Sequence, residues 1–322
     1  MSGFALAVDL GGTKVEAALV DASGRIADGS RVRAATGAAS HRADLRAAVG
    51  TVVDGALAAL PAGGELRGAG IGSAGPVDLV AGTVSPKNLP VLAGFDLRSD
   101  VQDRLPGLPV RLRLDGTCIA LAEHWLGATA GLADSMSMVV STGVGGGLIV
   151  GGALVSGRTG NAGHIGQIHV AGFGGTAGDV DSTTLEAVAS GTSSVSWARG
   201  HGWVGTSGEE LALSCADGEP TAWAAVHRSA AAVGQAIAST TTLLDLDVVA
   251  IGGGFAGVVP DYVDLVRQAA RRATVLAYAA EVLIVPAALG SAAPLLGAAA
   301  LVHRPDMVDP NRVDTRRLVS TT

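Results

Sequence analysis

The sequence predicts an α/β protein of two domains facing one cleft, and three observations carry that prediction. The chain has 322 residues, enough for about two domains at ~150 residues each. Apolar, strand-like runs alternate with helix-like stretches along its whole length. One local pattern occurs twice: an apolar run, a glycine-rich turn and a second apolar run, at residues 4–20 and again at 136–150. That echo predicts two related halves, each offering a glycine tip to a shared ligand.

Composition narrows the class. Apolar residues make up 48% of the chain and charged residues 16%, which favours buried cores over disorder. Aromatics at 3% leave little for stacking on nucleic-acid bases. A net charge of -7 opposes non-specific binding to DNA or to an anionic membrane. The two cysteines, Cys118 and Cys215, lack a zinc-type C-x-x-C spacing. No uninterrupted apolar run reaches the ~18 residues of a membrane span. Met138–Val155 comes nearest, but Ser141, Thr142 and several glycines break it. The chain enters a strand at once, without a signal-like basic region, so a cytoplasmic location is expected.

Taken in order, Phe4–Leu10 and Val15–Val20 read as an antiparallel pair, because paired glycines at 11 and 12 mark a hairpin. A third strand is expected within 25–34. His41–Leu60 reads as a helix with Leu45, Val49, Val52 and Val53 on one side. A short buried strand at 68–72 leads to Ser73-Ala-Gly75-Pro76. A helix is expected near 97–105, a strand at 110–114 pointing at Asp115, and a helix at 119–127. The second hairpin follows, with its turn at 142–147 and a return strand at 148–150. A loop with His164 and Gln167 leads to a glycine-rich excursion at 171–181 and a helix from 183. Helices are expected at 209–215 and 222–244, then a strand at 247–251 ending in Gly252-Gly253-Gly254. A helix at 262–274, a strand at 282–285, a helix at 292–303 and a loosely packed polar tail complete the reading.

The first tip suits a polyphosphate. Gly11 and Gly12 let the backbone approach closely and present N–H groups. Thr13 adds a hydroxyl and Lys14 a positive charge. Asp9, at the strand end, is placed to hold Mg²⁺ directly or through water. Taken alone, the same residues also describe an ordinary hairpin with a polar tip. The step at Gly252–Gly254 before a helix is placed to seat an adenosine or its α-phosphate.

Together these residues resemble the ROK family of sugar kinases, repressors and uncharacterised reading frames. The resemblance rests on Asp9-Leu-Gly-Gly-Thr-Lys14, Gly70-Ile-Gly-Ser-Ala-Gly-Pro-Val-Asp78, Asn88-Leu-Pro90, Asp115 followed by Ala120-Leu-Ala-Glu123, Ser141-Thr-Gly-Val-Gly-Gly-Gly147, Leu185-Glu186-Ala-Val-Ala-Ser-Gly191 and Gly252-Gly-Gly254. It implies a two-domain actin-like ATPase (ribonuclease H-like) fold, with a small domain at 1–114 and a large one at 115–322 whose last helix packs back on the first. It also implies ATP, Mg²⁺, a hexose or amino-hexose phosphorylated at O6, and a homodimer. Asp115 matches the catalytic aspartate. A carboxylate within ~3 Å of a sugar hydroxyl can orient it and take its proton; the simpler role is a cap for the helix at 119–127. Asp9, Gly11, Gly12, Thr13, Lys14, Thr142, Gly143, Gly145, Gly253 and Gly254 fall at the implied ATP site. Ser73, Gly75, Asn88, Asp115, His164, Gln167 and Glu186 fall at the implied sugar site. Glu186 is also explained as a first-turn helix acid.

The departures are as informative. Leu114 stands where the family usually has Asn, and a sugar hydroxyl left unpaired against it would cost ~1–3 kcal/mol. His164-Ile-Gly166-Gln167 replaces Glu-x-Gly-His. The zinc cluster Cys-x-Cys-Gly-x-x-Gly-Cys is missing from 171–184, and structural zinc needs four N or S ligands, so no zinc is expected. The first expectation is therefore a kinase for a hexose or amino-hexose such as kanosamine or glucose, the resembling family also including kinases for N-acetylmannosamine. The second is a weak or inactive sugar or nucleotide sensor. A repressor is disfavoured, because the first hairpin begins at Phe4 with no DNA-reading domain ahead of it.

Overall fold

In the computed structural model, residues 3–36, 41–86, 89–174 and 180–308 are described. The first half contains β1 (Gly3–Leu10), β2 (Lys14–Asp21), β3 (Val32–Ala35), α1 (Arg42–Ala58), β4 (Glu65–Ser73), the short β5 (Val77–Asp78) and β6 (Thr83–Val84), α2 (Leu97–Gln102) and β7 (Val110–Leu114). The second contains α3 (Asp115–Leu126), β8 (Ser135–Val140), β9 (Val144–Val150), β10 (Ala153–Leu154), α4 (Leu185–Ala189), α5 (Gly191–Gly200), α6 (Gly208–Ala216), α7 (Pro220–Leu244), β11 (Val248–Gly252), α8 (Tyr262–Ala273), α9 (Ala277–Ala280), β12 (Leu283–Pro286), α10 (Ala293–His303) and α11 (Pro305–Val308).

The repeated strand–glycine–strand pattern emerges as repeated topology. One five-stranded sheet has the order β3-β2-β1-β4-β7 and the other β10-β9-β8-β11-β12. In each, an antiparallel meander is followed by two strands parallel to the first. β1 is buried almost throughout because helices cover both of its faces. Leu6, Val8 and Leu10 alternate onto the face covered by α1, with Leu45, Val49, Val52 and Val53 opposite. Ala5 and Ala7 alternate onto the other, where α10 lies. That face is built from small residues so that α10 can approach closely. A Cβ on Gly70 would overlap the Ala298 carbonyl, and one on Gly297 would overlap the Cys118 carbonyl. α10 thus joins β1, β4 and α3 into one layer between the sheets.

Several elements differ from the sequence reading. β3 starts at Val32 instead of near 25, and α5 is a helix that the sequence reading does not include. α3 starts at Asp115 rather than at 119, with Leu114 as its N-cap residue. β9 starts at Val144, so Gly145, Gly146 and Gly147 lie inside the strand and the turn shrinks to Ser141–Gly143. The polar tail begins with one packed turn, where Met307 and Val308 are buried.

Candidate active site

The first glycine tip is closed by the Gly11 N–H donating to the Lys14 carbonyl at 2.9 Å. Thr36 braces it from β3, its N–H on the Thr13 carbonyl at 2.9 Å and its hydroxyl on the Gly11 carbonyl at 3.3 Å. Thr13 is exposed, while Gly11, Gly12 and Lys14 are half-buried. Asp9 pairs across the hairpin with Glu16. Glu16 is 1% exposed and is held by Lys14 at 3.3 Å, by Arg31 at 3.0 Å and by Arg33. Three cations against one carboxylate leave the rim of the tip positive, which suits a polyanion. Arg31 and Arg33 escaped the sequence reading. Their i, i+2 spacing on one side of a strand was the available signal.

Asp9 is buried, and burial raises its pKa to about 7, with Asp115 and Glu16 pushing the same way and Lys14 and Arg31 opposing. A buried, hard oxygen donor facing a second carboxylate is where Mg²⁺ fits, with water and phosphate oxygens supplying the remaining ligands. The cation would relieve the repulsion that raises the pKa.

At the second tip the Ser141 N–H donates to the Gly143 carbonyl at 2.8 Å. Thr142 is exposed, and its carbonyl accepts from the Thr192 hydroxyl at 2.6 Å. Gly253, at φ +100°, passes so close to the Val140 carbonyl that a Cβ would overlap it. Gly254 sits beside the Ser141 hydroxyl, 3.7 Å from where its Cβ would lie. From Thr142 and Gly254 a cavity of about 1100 Å³ runs along α5 past Arg199 to Trp203 and Glu209. Gly145 faces open space, whereas Gly146 and Gly147 are crowded by neighbours. A Cβ on Gly116 would stand 2.5 Å from the Gly146 carbonyl oxygen, and one on Gly147 would stand 2.7 Å from the Gly116 carbonyl oxygen. The glycines of β9 therefore let the head of α3, and with it Asp115, lie against the second sheet.

Asp115 is the first residue of α3 and half-buried. Its Oδ1 accepts the N–H of its own neighbour Gly116 at 2.7 Å. Burial raises its pKa and Glu186 adds to the rise, while the Gly116 N–H and His164 oppose it. His164 is oriented by its Nδ1, 3.1 Å from the Asn161 carbonyl. Its Nε2 would lie 3.4 Å from a Cβ on Gly75, and the Leu114 side chain fills that same space. Leu114 is 2% exposed and packs into the core of the first sheet, so the Asn-to-Leu change does not present a bare apolar surface to the cleft. Asn161 ties the two loops together, its side-chain amide exchanging hydrogen bonds of 2.8 Å each with the Val77 N–H and carbonyl.

Glu186 stands in the first turn of α4, behind the capping hydroxyl of Thr184. Its Oε2 accepts the Val144 N–H at 2.9 Å, and its Oε1 accepts from Gln167 Nε2 at 3.2 Å. The carboxylate therefore links the sugar-side residues to the second glycine tip, a connection that spacing alone did not reveal. Ser73 is fully buried and its hydroxyl donates to the Ala74 carbonyl at 2.9 Å. Asn88 lies outside the described residues.

Residues 171–184 contain no cysteine, and the thiols of Cys118 and Cys215 are buried in other parts of the fold. Among the described residues no group of three His, Cys, Asp or Glu side chains is arranged to hold a metal ion.

Two sheets of matching topology, each turning a glycine hairpin toward a buried carboxylate at a helix head, define a two-domain α/β protein of the actin-like class. The sequence pattern of the ROK family matches residues 5–305. The chain is 32% identical over 265 residues to an N-acetylmannosamine kinase of Escherichia fergusonii, covering 81% of this chain and 86% of that one. It resembles the crystal structure of a ROK hexokinase from Thermus thermophilus, with a TM-score of 0.78, 31% identity, and 93% of this chain and 98% of that chain covered. It equally resembles that of a ROK family glucokinase from Streptomyces griseus in complex with glucose and AMPPNP, with a TM-score of 0.78, 29% identity, and 94% and 100% covered. The chain belongs to the ROK family. Among the described residues no helix is long and apolar enough to cross a membrane.

Proposed function

We propose that the chain is an ATP-dependent sugar kinase that transfers the γ-phosphoryl group to O6 of a hexose or amino-hexose. The observation that carries this is the place of Asp115: between the two glycine tips, close enough to feel the charge of His164 and Glu186 and to act on Asp9. The kinases among the relatives support the same reading.

Asp115 orients the accepting hydroxyl and takes its proton as the P–O bond forms. Lys14 and the backbone amides at Gly11, Gly12 and Thr13 hold the phosphates. Thr142, Gly143, Gly145, Gly253 and Gly254 border the nucleotide, with its adenosine in the cavity beside α5. Asp9 would hold Mg²⁺ directly or through water, and the cation would supply neutralising charge at the phosphates. Gly75, His164, Gln167 and Glu186 meet the sugar. Asn88 and the buried Ser73 belong to the same loops. The units divide between Leu114 and Asp115, with α10 returning to the first.

Because Leu114 is packed in the core, altered sugar preference rests on His164 and Gln167, which offer a ring nitrogen and an amide where the family has a carboxylate and an imidazole. Glucose, N-acetylmannosamine and kanosamine are the acceptors to compare first. ADP release measured across a panel of hexoses and amino-hexoses tests the reading. Turnover on at least one member, abolished in Asp115→Asn, is expected. Nucleotide binding without turnover on any of them would overturn it in favour of the second reading, a sensor. That second reading is favoured by Glu186, whose two oxygens are already engaged by Val144 and Gln167.

A further inference from the structure

We infer that Arg228, from the long helix α7, is a positioning residue that does by side-chain contacts what a bound metal would do: it locks the opening residues of the excursion, 171–174, against the helix that carries Glu186. This rests on the sugar-site reading above for its functional consequence, but not for its structural one.

The excursion interrupts the chain between Gln167 and Glu186, two residues joined at 3.2 Å. Its neck is closed by pairing: the Val170 N–H donates to the Thr183 carbonyl at 3.0 Å, the Leu185 N–H to the Ile168 carbonyl at 2.8 Å, and His169 Nδ1 meets the Thr183 hydroxyl at 2.8 Å. Anything that shifts the excursion therefore pulls on both sugar-side residues.

Two side chains of α7, two helical turns apart and so on one face, grip the excursion's first residues. The Gln235 side-chain amide takes the Ala171 N–H at 2.8 Å and returns a hydrogen bond to the Ala171 carbonyl at 3.3 Å. Arg228 donates one terminal nitrogen to the Phe173 carbonyl at 3.2 Å and the other to the Val188 carbonyl of α4 at 2.7 Å. Its guanidinium also lies over the rings of Phe173, at 5.9 Å, and of Trp197 in α5, at 5.7 Å. Next to it, the Ser229 hydroxyl donates to the Ala189 carbonyl at 2.7 Å. The short helix α4 thus has its final carbonyls satisfied by α7 rather than by its own length.

A guanidinium suits this post where an ammonium does not. Its rigid fork reaches two carbonyls of separate segments while its flat faces meet aromatic rings. In a segment with no thiols, these contacts supply the cross-link. Pinning the excursion keeps Gln167 and Glu186 in register with Asp115 before the sugar arrives.

The test uses the full-length protein. Amide hydrogen exchange over residues 168–174, which includes the Ala171 N–H, is compared in the parent, Arg228→Met, Arg228→Lys and Gln235→Ala, and zinc content is measured by elemental mass spectrometry. Exchange is expected to quicken about tenfold or more in Arg228→Met and Gln235→Ala. The sugar KM should rise about tenfold in Arg228→Met, with a smaller rise in the ATP KM, and Arg228→Lys should fall between. Should Arg228→Met fail to fold, Gln235→Ala, which removes only the outer amide pair, decides the matter through exchange. Unchanged exchange in the folded variants, or one zinc ion per chain in the parent, overturns the inference. Neither readout requires the protein to be a kinase, so loss of the functional reading would be seen separately in the acceptor screen.

Discussion

The Glu186 carboxylate accepts the Val144 N–H at 2.9 Å, so the acid at the head of α4 braces the second glycine tip. A carboxylate bond to a backbone amide contributes ~1.5–3 kcal/mol. Glu186→Ala is expected to lower kcat/KM by about 10–100-fold and to raise the KM of the sugar and of ATP together. Glu186→Gln keeps an acceptor oxygen and should recover part of the ATP affinity. Initial-rate kinetics varying both substrates would check this; a defect confined to the sugar would mean the tip does not depend on that bond.

The Gly116 N–H donates to Oδ1 of Asp115, and the proposed acceptor hydroxyl meets the other oxygen. Replacement by Asn removes the proton acceptor at nearly constant size. A fall in kcat of about 10²–10⁴-fold is expected, with sugar affinity by calorimetry little changed. Equal turnover by parent and variant would remove Asp115 from the chemistry.

Asp9 gives a pH dependence with a definite sign. Its folded pKa is about 7, above the ordinary value of 3.8. The folded protein therefore binds more protons than the unfolded chain between those values, and stability falls as pH rises through that window. Asp9→Asn should raise the Tm at pH 8, by roughly 2–4 °C per kcal/mol recovered, and leave it nearly unchanged near pH 4. Proton and Mg²⁺ compete for the same carboxylate. The half-saturating Mg²⁺ concentration in the parent should increase, by up to about tenfold per unit, as pH drops below 7 and level off above it. Thermal scans and Mg²⁺ titrations across this pH range test both halves.

Gly116 and Gly145 separate packing from ligand contact. A Cβ on Gly116 would stand 2.5 Å from the Gly146 carbonyl oxygen, whereas one on Gly145 would meet open space. Gly116→Ala should cost about 1–3 kcal/mol of stability and reduce kcat by displacing Asp115. Gly145→Ala should leave the Tm unchanged and raise the ATP KM. Denaturant midpoints and steady-state kinetics on the pair would reveal any reversal.

Much of the architecture was legible because it is written in local patterns. The strand–glycine–strand pattern announced both hairpins, and the apolar run ending at Asp9 announced a buried strand. Asp115 could be located from the strand pointing at it. The rest was hidden because it depends on contacts between distant segments. Glycines 145–147 read as a turn, since nothing nearby shows that the head of α3 packs against Gly146 and Gly147 in an extended strand. Leu114 read as a wall of the sugar site until its side chain proved to be core. Arg31, Arg33 and Arg228 were not singled out, because their partners Glu16, Val188 and Phe173 lie up to 55 residues away along the chain.

The layer formed by β1, β4 and α10 sets a timetable for biosynthesis. The strand made first has one face that stays uncovered until a helix close to 300 residues downstream has left the ribosome. Partial chains must carry the bare Ala5, Ala7 and Ala18 surface through nearly all of translation. The opening sheet reaches its final form after the body that follows it, reversing the N-terminal-first order of ordinary multidomain chains.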